Sequence, residues 1–177
     1  MRFKVTARLE REEQTWEQRL RHLLPLFGHR NWIVVADSAY PAQSNPGIET
    51  IYTGEDHVRL LGKVIDSIAA QTHVRGNVYI DAELKQVTEK DAAGVTEVRS
   101  AMERVVGRNA RVLEHERIIA KLDESAKLFN VVILKSTLTI PYTSVFVELD
   151  CGYWNADAEK RLRESIADTT AATSGNR

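Results

Sequence analysis

Two short runs that are apolar at every position constrain this fold more than any other sequence feature. Trp32–Ala36 and Val131–Leu134 are too short for helices and are rich in β-branched residues. A strand with one face in water alternates apolar and polar residues, whereas a strand covered on both faces does not. The two runs therefore predict central strands of a sheet that has helices on both faces.

Helix and strand patterns alternate along the rest of the chain, which is typical of a largely parallel sheet between helix layers. Further strands are predicted at 48–52, 77–80, 110–113 and 144–149, and helices at 16–24, 57–68, 91–106, 115–129 and 157–167. The last strand follows Val131–Leu134 after only a turn around Pro141, which favours antiparallel pairing. The predicted fold class is α/β, a three-layer α/β/α architecture with a mostly parallel, mixed sheet of about six strands.

The length of 177 residues suits one domain. We predict an irregular N-terminal extension over 1–14, a single α/β domain over 15–167 and a flexible tail over 168–177.

Composition excludes several classes of partner. Lys plus Arg number 24 against 25 for Asp plus Glu, a net charge of −1, so neither nucleic acid nor a membrane surface is an expected partner. The N-terminus lacks the apolar core of a signal peptide, and no run is long enough to span a membrane. The single Cys151 fits a reducing compartment. These features predict a cytoplasmic protein.

Motifs for bound cofactors are missing from the sequence. No Gly-x-Gly-x-x-Gly or Gly-x-x-x-x-Gly-Lys follows a strand, and the five histidines show no metal-ligand spacing with one another or with Cys151. The sequence therefore predicts no cofactor and no metal, and it leaves a site built from His, Asp, Tyr and hydroxyl side chains.

Polar residues collect where the first apolar strand ends, at Asp37, Ser38 and Tyr40. In open α/β sheets, ligands bind in the crevice beyond the carboxyl ends of the strands. An Asp at this position is also a common turn cap. Both interpretations of Asp37 remain open from the sequence.

The order of these motifs resembles the ribose pyranase and fucose mutarotase family, from about Leu20 to Gly152. The resemblance rests on Gly28-His29, the apolar strand, Asp37 with Pro41 four residues on, and Tyr142 before the last strand. Residues 40–44 are similar to a Phe-Pro-Ala-His-Ser stretch of the fucose branch, with Gln43 in place of the histidine. Residues 115–118 are similar to a His-Glu-x-Phe stretch of the ribose branch.

This resemblance implies a cofactor-independent isomerase that interconverts the anomers or ring forms of a monosaccharide by general acid–base catalysis. It implies that His29 and Asp37 are catalytic, because an imidazole with a pKa of about 6.5 can accept or donate a proton near neutral pH. It also implies a homo-oligomer, a ring of subunits such as a decamer, with pockets between subunits. The implied substrate-binding residues are Tyr142, Ser144, Ser38, Gln43, His115 and Lys135.

Structural interpretations of the same residues remain open. His29 could bond a backbone carbonyl at a helix end, Tyr142 could pack in the core, and His115 could cap its helix. Eight extended residues at roughly 3.3 Å each would also separate His29 from Asp37 by about 26 Å. Either the segment 28–31 folds back over the strand, or the two residues serve different pockets.

Two departures from the family pattern leave alternative functions open. Ser144 replaces the Asn of a Tyr-x-Asn motif, and Thr137-Leu138 replaces a Gly-Glu pair. The alternatives are a non-catalytic sugar-binding or transport-associated protein, or an enzyme for a small carbonyl substrate. His57 and His73 are predicted to be surface residues.

Overall fold

A computed structural model describes residues 14–174 of the chain, with side chains up to residue 167. The helices are α1 (Trp16–Leu23), α2 (His57–Ala69), α3 (Val95–Val106), α4 (His115–Ala126) and α5 (Ala156–Ser174), with short 3-10 helices at Leu24–Leu26 and Ala82–Lys85. The strands are β1 (Trp32–Ala36), β2 (Ile48–Tyr52), β3 (Val74–Asp81), β4 (Arg111–Leu113), β5 (Val131–Lys135) and β6 (Val145–Cys151).

The six strands form one mixed sheet in the order β2-β5-β1-β6-β3-β4. All strand pairs are parallel except those of β6, which runs antiparallel to β1 and to β3. The antiparallel direction predicted for the last strand is confirmed. Its neighbour in sequence, β5, is not its partner, because β1 and β2 already occupy both edges of β5.

Two apolar cores flank the sheet and confirm the three-layer α/β/α class. Every residue of β1 is buried, and successive residues alternate between the cores. Ile33 and Val35 join the core under α1, α2 and α3, whereas Trp32 and Val34 join the core under α4. This double burial explains why β1 is apolar at every position.

Local capping signals set the starts of two helices. Thr15 accepts a hydrogen bond from the Gln18 backbone N–H, and the Gln18 side chain accepts one from the Thr15 N–H, so the predicted capping box of α1 is confirmed. Asp56 caps α2 by accepting from the Arg59 N–H.

Two predicted boundaries are corrected. Strand β3 begins at Val74 rather than at residue 77, so Gly76 lies inside it. A glycine fits at this position because an added Cβ would meet the Val147 side chain at 2.7 Å. The backbone of α5 is helical as far as Ser174, whereas the sequence predicts that this helix ends at residue 167. The flexible tail over 168–177 stays a prediction. No Gly or Pro interrupts the helix before Gly175. The predicted extension over 1–14 lies outside the described residues, apart from residue 14.

None of the helices between residues 14 and 174 combines the length and hydropathy that a membrane span requires.

Candidate functional site

A cavity of about 330 Å³ lies beyond the carboxyl end of β1, beside the start of α4. Because β6 is antiparallel to β1, the segment that leads into β6 meets the end of β1 at this edge. The lining residues are Asp37, Ala39, Tyr40, Pro41, Gln43, His115, Glu116, Ile119, Pro141 and Tyr142.

Asp37 directly follows β1 and has two different partners. Its Oδ1 accepts from the Ala39 N–H at 2.9 Å, and its Oδ2 accepts from the Ser144 hydroxyl at 3.0 Å. The turn-cap and site interpretations therefore both apply, since one carboxylate caps the turn and also lines the cavity. Ser144 is itself buried, so it contacts the cavity only through Asp37.

His115 is the first residue of α4, and its ring is held by a buried carboxylate. Its Nδ1 lies 3.0 Å from Asp81 Oδ2, while its backbone N–H donates to the Glu83 carboxylate. The imidazole is therefore not the cap of the helix, because Glu83 satisfies the backbone there. Its second nitrogen, Nε2, has no hydrogen-bond partner among residues 14–167, so it is available to a ligand.

Tyr142 forms one edge of the cavity, with its ring edge-on to that of His115 at a centroid distance of 5.7 Å. Its side chain is 39% exposed, so it is not a core tyrosine. Its φ of +58° lies in the left-handed region, which costs a non-glycine residue about 1–3 kcal/mol and persists only where the surroundings hold it. The segment around Tyr142 is thus held in one conformation.

Two cavity residues carry a buried polar atom with no partner in the described chain, namely Tyr40 at its hydroxyl and Gln43 at Oε1. Burial raises the pKa of Tyr40 above its ordinary value, which keeps the phenol neutral. Buried polar atoms are nearly always hydrogen-bonded in proteins. Both atoms are closed to solvent and unsatisfied among the described residues.

Burial raises the pKa of Asp81 from 3.8 to about 6, while His115 lowers it and Glu83 and Asp37 raise it. Folding therefore favours the protonated form of Asp81. The contribution of this group to stability is complete below pH ~4, where the carboxyl is protonated in both states, and is lost as the pH rises through about 6.

We expect Asp81→Asn to gain stability relative to the native chain between pH ~4 and ~6, and to keep a constant advantage above that range. Urea unfolding at several pH values measures the difference. Asp91→Asn is the matched control with the opposite sign, because hydrogen bonds from Thr88 lower the pKa of Asp91. A stability difference for Asp81→Asn that does not change with pH would contradict the expectation.

Four predicted site residues do not line this cavity, and Ser144 is one of them because it contacts the cavity only through Asp37. His29 is exposed in the turn before β1, at the opposite end of that strand from Asp37. The Ser38 hydroxyl donates to the Ser136 carbonyl, and Lys135 is the last residue of β5. The catalytic role of His29 and the binding roles of Ser38 and Lys135 remain predictions.

The sequence reasoning missed Asp81. The predicted strand ended at Ile80, whereas β3 ends at Asp81, one strand removed from β1 across β6. Asp81 is the last residue of β3, and Asp37 is the first residue after β1. This shared position at a strand end is the indication of Asp81 that the sequence offers.

His57 is also misplaced by the sequence reasoning, because it is buried rather than on the surface. Its Nδ1 lies 2.8 Å from Ser136 Oγ, and its Nε2 lies 2.8 Å from the Thr143 carbonyl oxygen. The available signal was helical spacing, because a residue just after the Asp56 cap shares a face with Leu60, Leu61 and Val64. His73 is half-buried, with Nε2 near two backbone carbonyls.

Fold and cavity together define a three-layer α/β protein with a pocket, bordered by Asp37 and His115, beyond the carboxyl end of β1. The backbone matches RbsD from Bacillus subtilis, solved in complex with D-ribose, with a TM-score of 0.50 and 22% sequence identity over 75% of this chain and 91% of that chain. This similarity establishes the fold and confirms, at that level, the resemblance seen in the sequence.

Two further structures show weaker similarity. A fucose mutarotase from Streptococcus pneumoniae, in complex with L-fucose, has 18% identity and a TM-score of 0.47 over 73% of this chain and 89% of its own. FucU from Bifidobacterium longum has 16% identity and a TM-score of 0.47 over 75% and 93%. No protein-family model matches the sequence, and no curated protein matches it significantly.

Proposed function

We propose that this protein is a cofactor-independent monosaccharide isomerase of the mutarotase or pyranase type, and that it works in the cavity between Asp37 and His115. One observation carries the proposal. A carboxylate and an imidazole line the same cavity, the imidazole has one nitrogen with no partner among the described residues, and a buried acid orients it. The fold shared with RbsD supports the same assignment.

Interconversion of sugar anomers needs two proton transfers. A base takes the proton of the anomeric hydroxyl while an acid protonates the ring oxygen, which breaks the ring C–O bond and gives the open-chain carbonyl form. Closure on the other face of the carbonyl reverses both transfers and gives the other anomer. Asp37 is the base that takes the proton of the anomeric hydroxyl, and His115, as an imidazolium beside Asp81, is the acid that gives its Nε2 proton to the ring oxygen. Catalysis of this kind typically contributes about 10²–10⁴-fold.

Asp81 fixes which nitrogen of His115 reacts. With Nδ1–H donating to Asp81 Oδ2, the lone pair of the neutral ring is on Nε2, the nitrogen that has no partner in the described part of the chain. A proton gained at Nε2 gives an imidazolium that the Asp81 carboxylate stabilises. Tyr40, Gln43 and Tyr142 then remain to contact the other hydroxyl groups and the apolar face of the sugar.

His29 enters the proposal only through an assembly. It lies at the far end of β1 from this cavity, so it reaches a sugar only if the turn at 28–30 of one chain packs against the cavity of another. Light scattering tests this requirement, because a strict monomer in solution would remove His29 from the mechanism.

Saturation-transfer NMR on a panel of pentoses and hexoses, including D-ribose and L-fucose, tests the proposed activity. We expect the native chain to accelerate anomeric exchange of at least one sugar. Binding of a sugar without any acceleration would favour the second function below, and neither binding nor acceleration across the panel would overturn the proposal.

The second candidate is a non-catalytic sugar-binding protein, and Ser144 favours it. Where the resemblance implies an Asn, this chain has a buried hydroxyl that is already engaged by Asp37. Ser144 therefore offers a sugar no donor of its own. The NMR experiment separates the two functions, because it measures binding and exchange on the same sample.

A further inference from the structure

The segment 136–144 connects β5 to β6 and carries one side of the cavity. Pro141 and Tyr142 line the cavity directly, and Ser144 donates to Asp37 Oδ2. The conformation of this segment therefore sets two features of the site at once, the place of the tyrosine ring and the orientation of the carboxylate.

The buried ring of His57 makes hydrogen bonds near both ends of this segment, at Ser136 and at Thr143. The ring is 1% exposed, and its two nitrogens each make a contact of 2.8 Å, with the Ser136 hydroxyl and with the Thr143 carbonyl. Thr143 stands between Tyr142 and Ser144, so the second contact is made at the residue that joins the two functional positions.

The hydrogen-bond partners define the tautomer. A carbonyl oxygen only accepts, so Nε2 carries the hydrogen and donates to Thr143. Burial lowers the pKa of His57 and favours the neutral ring, although Asp37 and Asp56 raise that pKa. In the neutral ring Nδ1 is an acceptor, so the one hydrogen of the Ser136 hydroxyl is shared between Nδ1 at 2.8 Å and the Ala36 carbonyl oxygen at 3.1 Å.

Other contacts hold the segment near its beginning more than near its end. The Thr137 N–H donates to the Glu55 carbonyl, and the Ser38 N–H donates to the Leu138 carbonyl. Near the end, the Thr143 hydroxyl donates to the Ile140 carbonyl within the segment itself, and Ser144 is bonded to Asp37 at the end of β1. The His57 contact with Thr143 therefore ties the strained Tyr142 region to a different element, the helix α2.

We propose that His57 is a positioning residue, which holds the segment 136–144 so that Tyr142 borders the cavity and Ser144 orients Asp37. This inference rests on the proposed function for its effect on catalysis. Its structural part, the fixing of the segment by the Thr143 contact, stands independently of any sugar.

Three substitutions separate the two contacts of the ring. The side-chain nitrogen of Gln matches the reach of His Nε2, so His57→Gln keeps the contact with Thr143. The oxygen of Asn matches Nδ1, so His57→Asn keeps the contact with Ser136. His57→Phe retains a buried ring and loses both contacts. His22→Ala, in an exposed position on α1, is the control for a histidine outside the site.

Hydrogen exchange of the segment 137–144, measured by mass spectrometry without sugar, is the first readout. We expect faster exchange in His57→Asn and His57→Phe, near-native exchange in His57→Gln, and unchanged exchange in β5 for every variant. Equal exchange of the segment in all three variants and the native chain would overturn the positioning role, whatever the activity of the protein.

Kinetics of anomeric exchange are the second readout. Because displacements of about 1 Å can cost about 10²-fold in rate, we expect kcat/KM to fall by about that factor in His57→Phe, with a higher KM, and to recover largely in His57→Gln. A merely destabilised protein would lose active molecules at an unchanged KM. Equal losses of kcat/KM in His57→Gln and His57→Phe would contradict the positioning role of the contact with Thr143. If the native chain did not accelerate anomeric exchange at all, that result would count only against the proposed function.

Discussion

Replacement of His115 by alanine is expected to lower the rate of anomeric exchange by about 10²–10⁴-fold, the usual contribution of a general acid or base. The expectation follows from the geometry of the ring. Asp81 holds Nδ1 at 3.0 Å, and Nε2, beside the cavity, has no partner between residues 14 and 167. Saturation-transfer NMR at saturating sugar measures the loss directly.

The variant should fold, because the helix start does not depend on the imidazole. The backbone N–H of residue 115 is satisfied by Glu83, and alanine is a good helix former. His22→Ala serves as the control and should keep the native rate. His29→Ala is the informative comparison, since loss of exchange in that variant together with native exchange in His115→Ala would transfer the catalytic role to His29 in an assembly.

The sequence feature that best predicted the fold is the run of residues that are apolar at every position. Trp32–Ala36 is apolar at every position because both cores cover it, and the structure confirms that strand to the residue. The partner of β6 could not be read in the same way. Chain order places β6 after β5, but the edges of β5 are filled by β1 and β2, and this competition between strands has no local pattern.

Only part of the candidate site follows from a local pattern. Asp37 and Tyr40 follow an apolar run and line the cavity, whereas Gln43, His115 and Tyr142, which also line it, were implied only by the family resemblance. Asp81 was not predictable from local pattern, because its importance comes from a contact with His115, 34 positions along the chain. His57 illustrates the same limit, since its partners Ser136 and Thr143 lie 79 and 86 positions away.

Substitution of Asp37 by asparagine is expected to reduce exchange by a similar factor, about 10²–10⁴-fold, because an amide neither accepts nor donates the transferred proton at neutral pH. The amide keeps the shape of the carboxylate. Its oxygen can still accept from the Ala39 N–H, and the Ser144 hydroxyl can turn to accept from the amide nitrogen. Sugar binding should therefore persist, which NMR titration measures on the same sample as exchange.

Ser144→Ala is the matched variant for this prediction, since it leaves the Asp37 carboxylate in place and removes its hydroxyl donor, together with the acceptor of the Asp37 N–H at 3.4 Å. A hydrogen bond to a charged group is worth about 1.5–3 kcal/mol, so its loss disturbs the orientation of the carboxylate without removing the proton acceptor. We expect exchange in Ser144→Ala to lie between the rates of the native chain and of Asp37→Asn. If Asp37→Asn exchanged sugar at the native rate, Asp37 would be a turn cap alone, and the proton transfers would require another pair of groups.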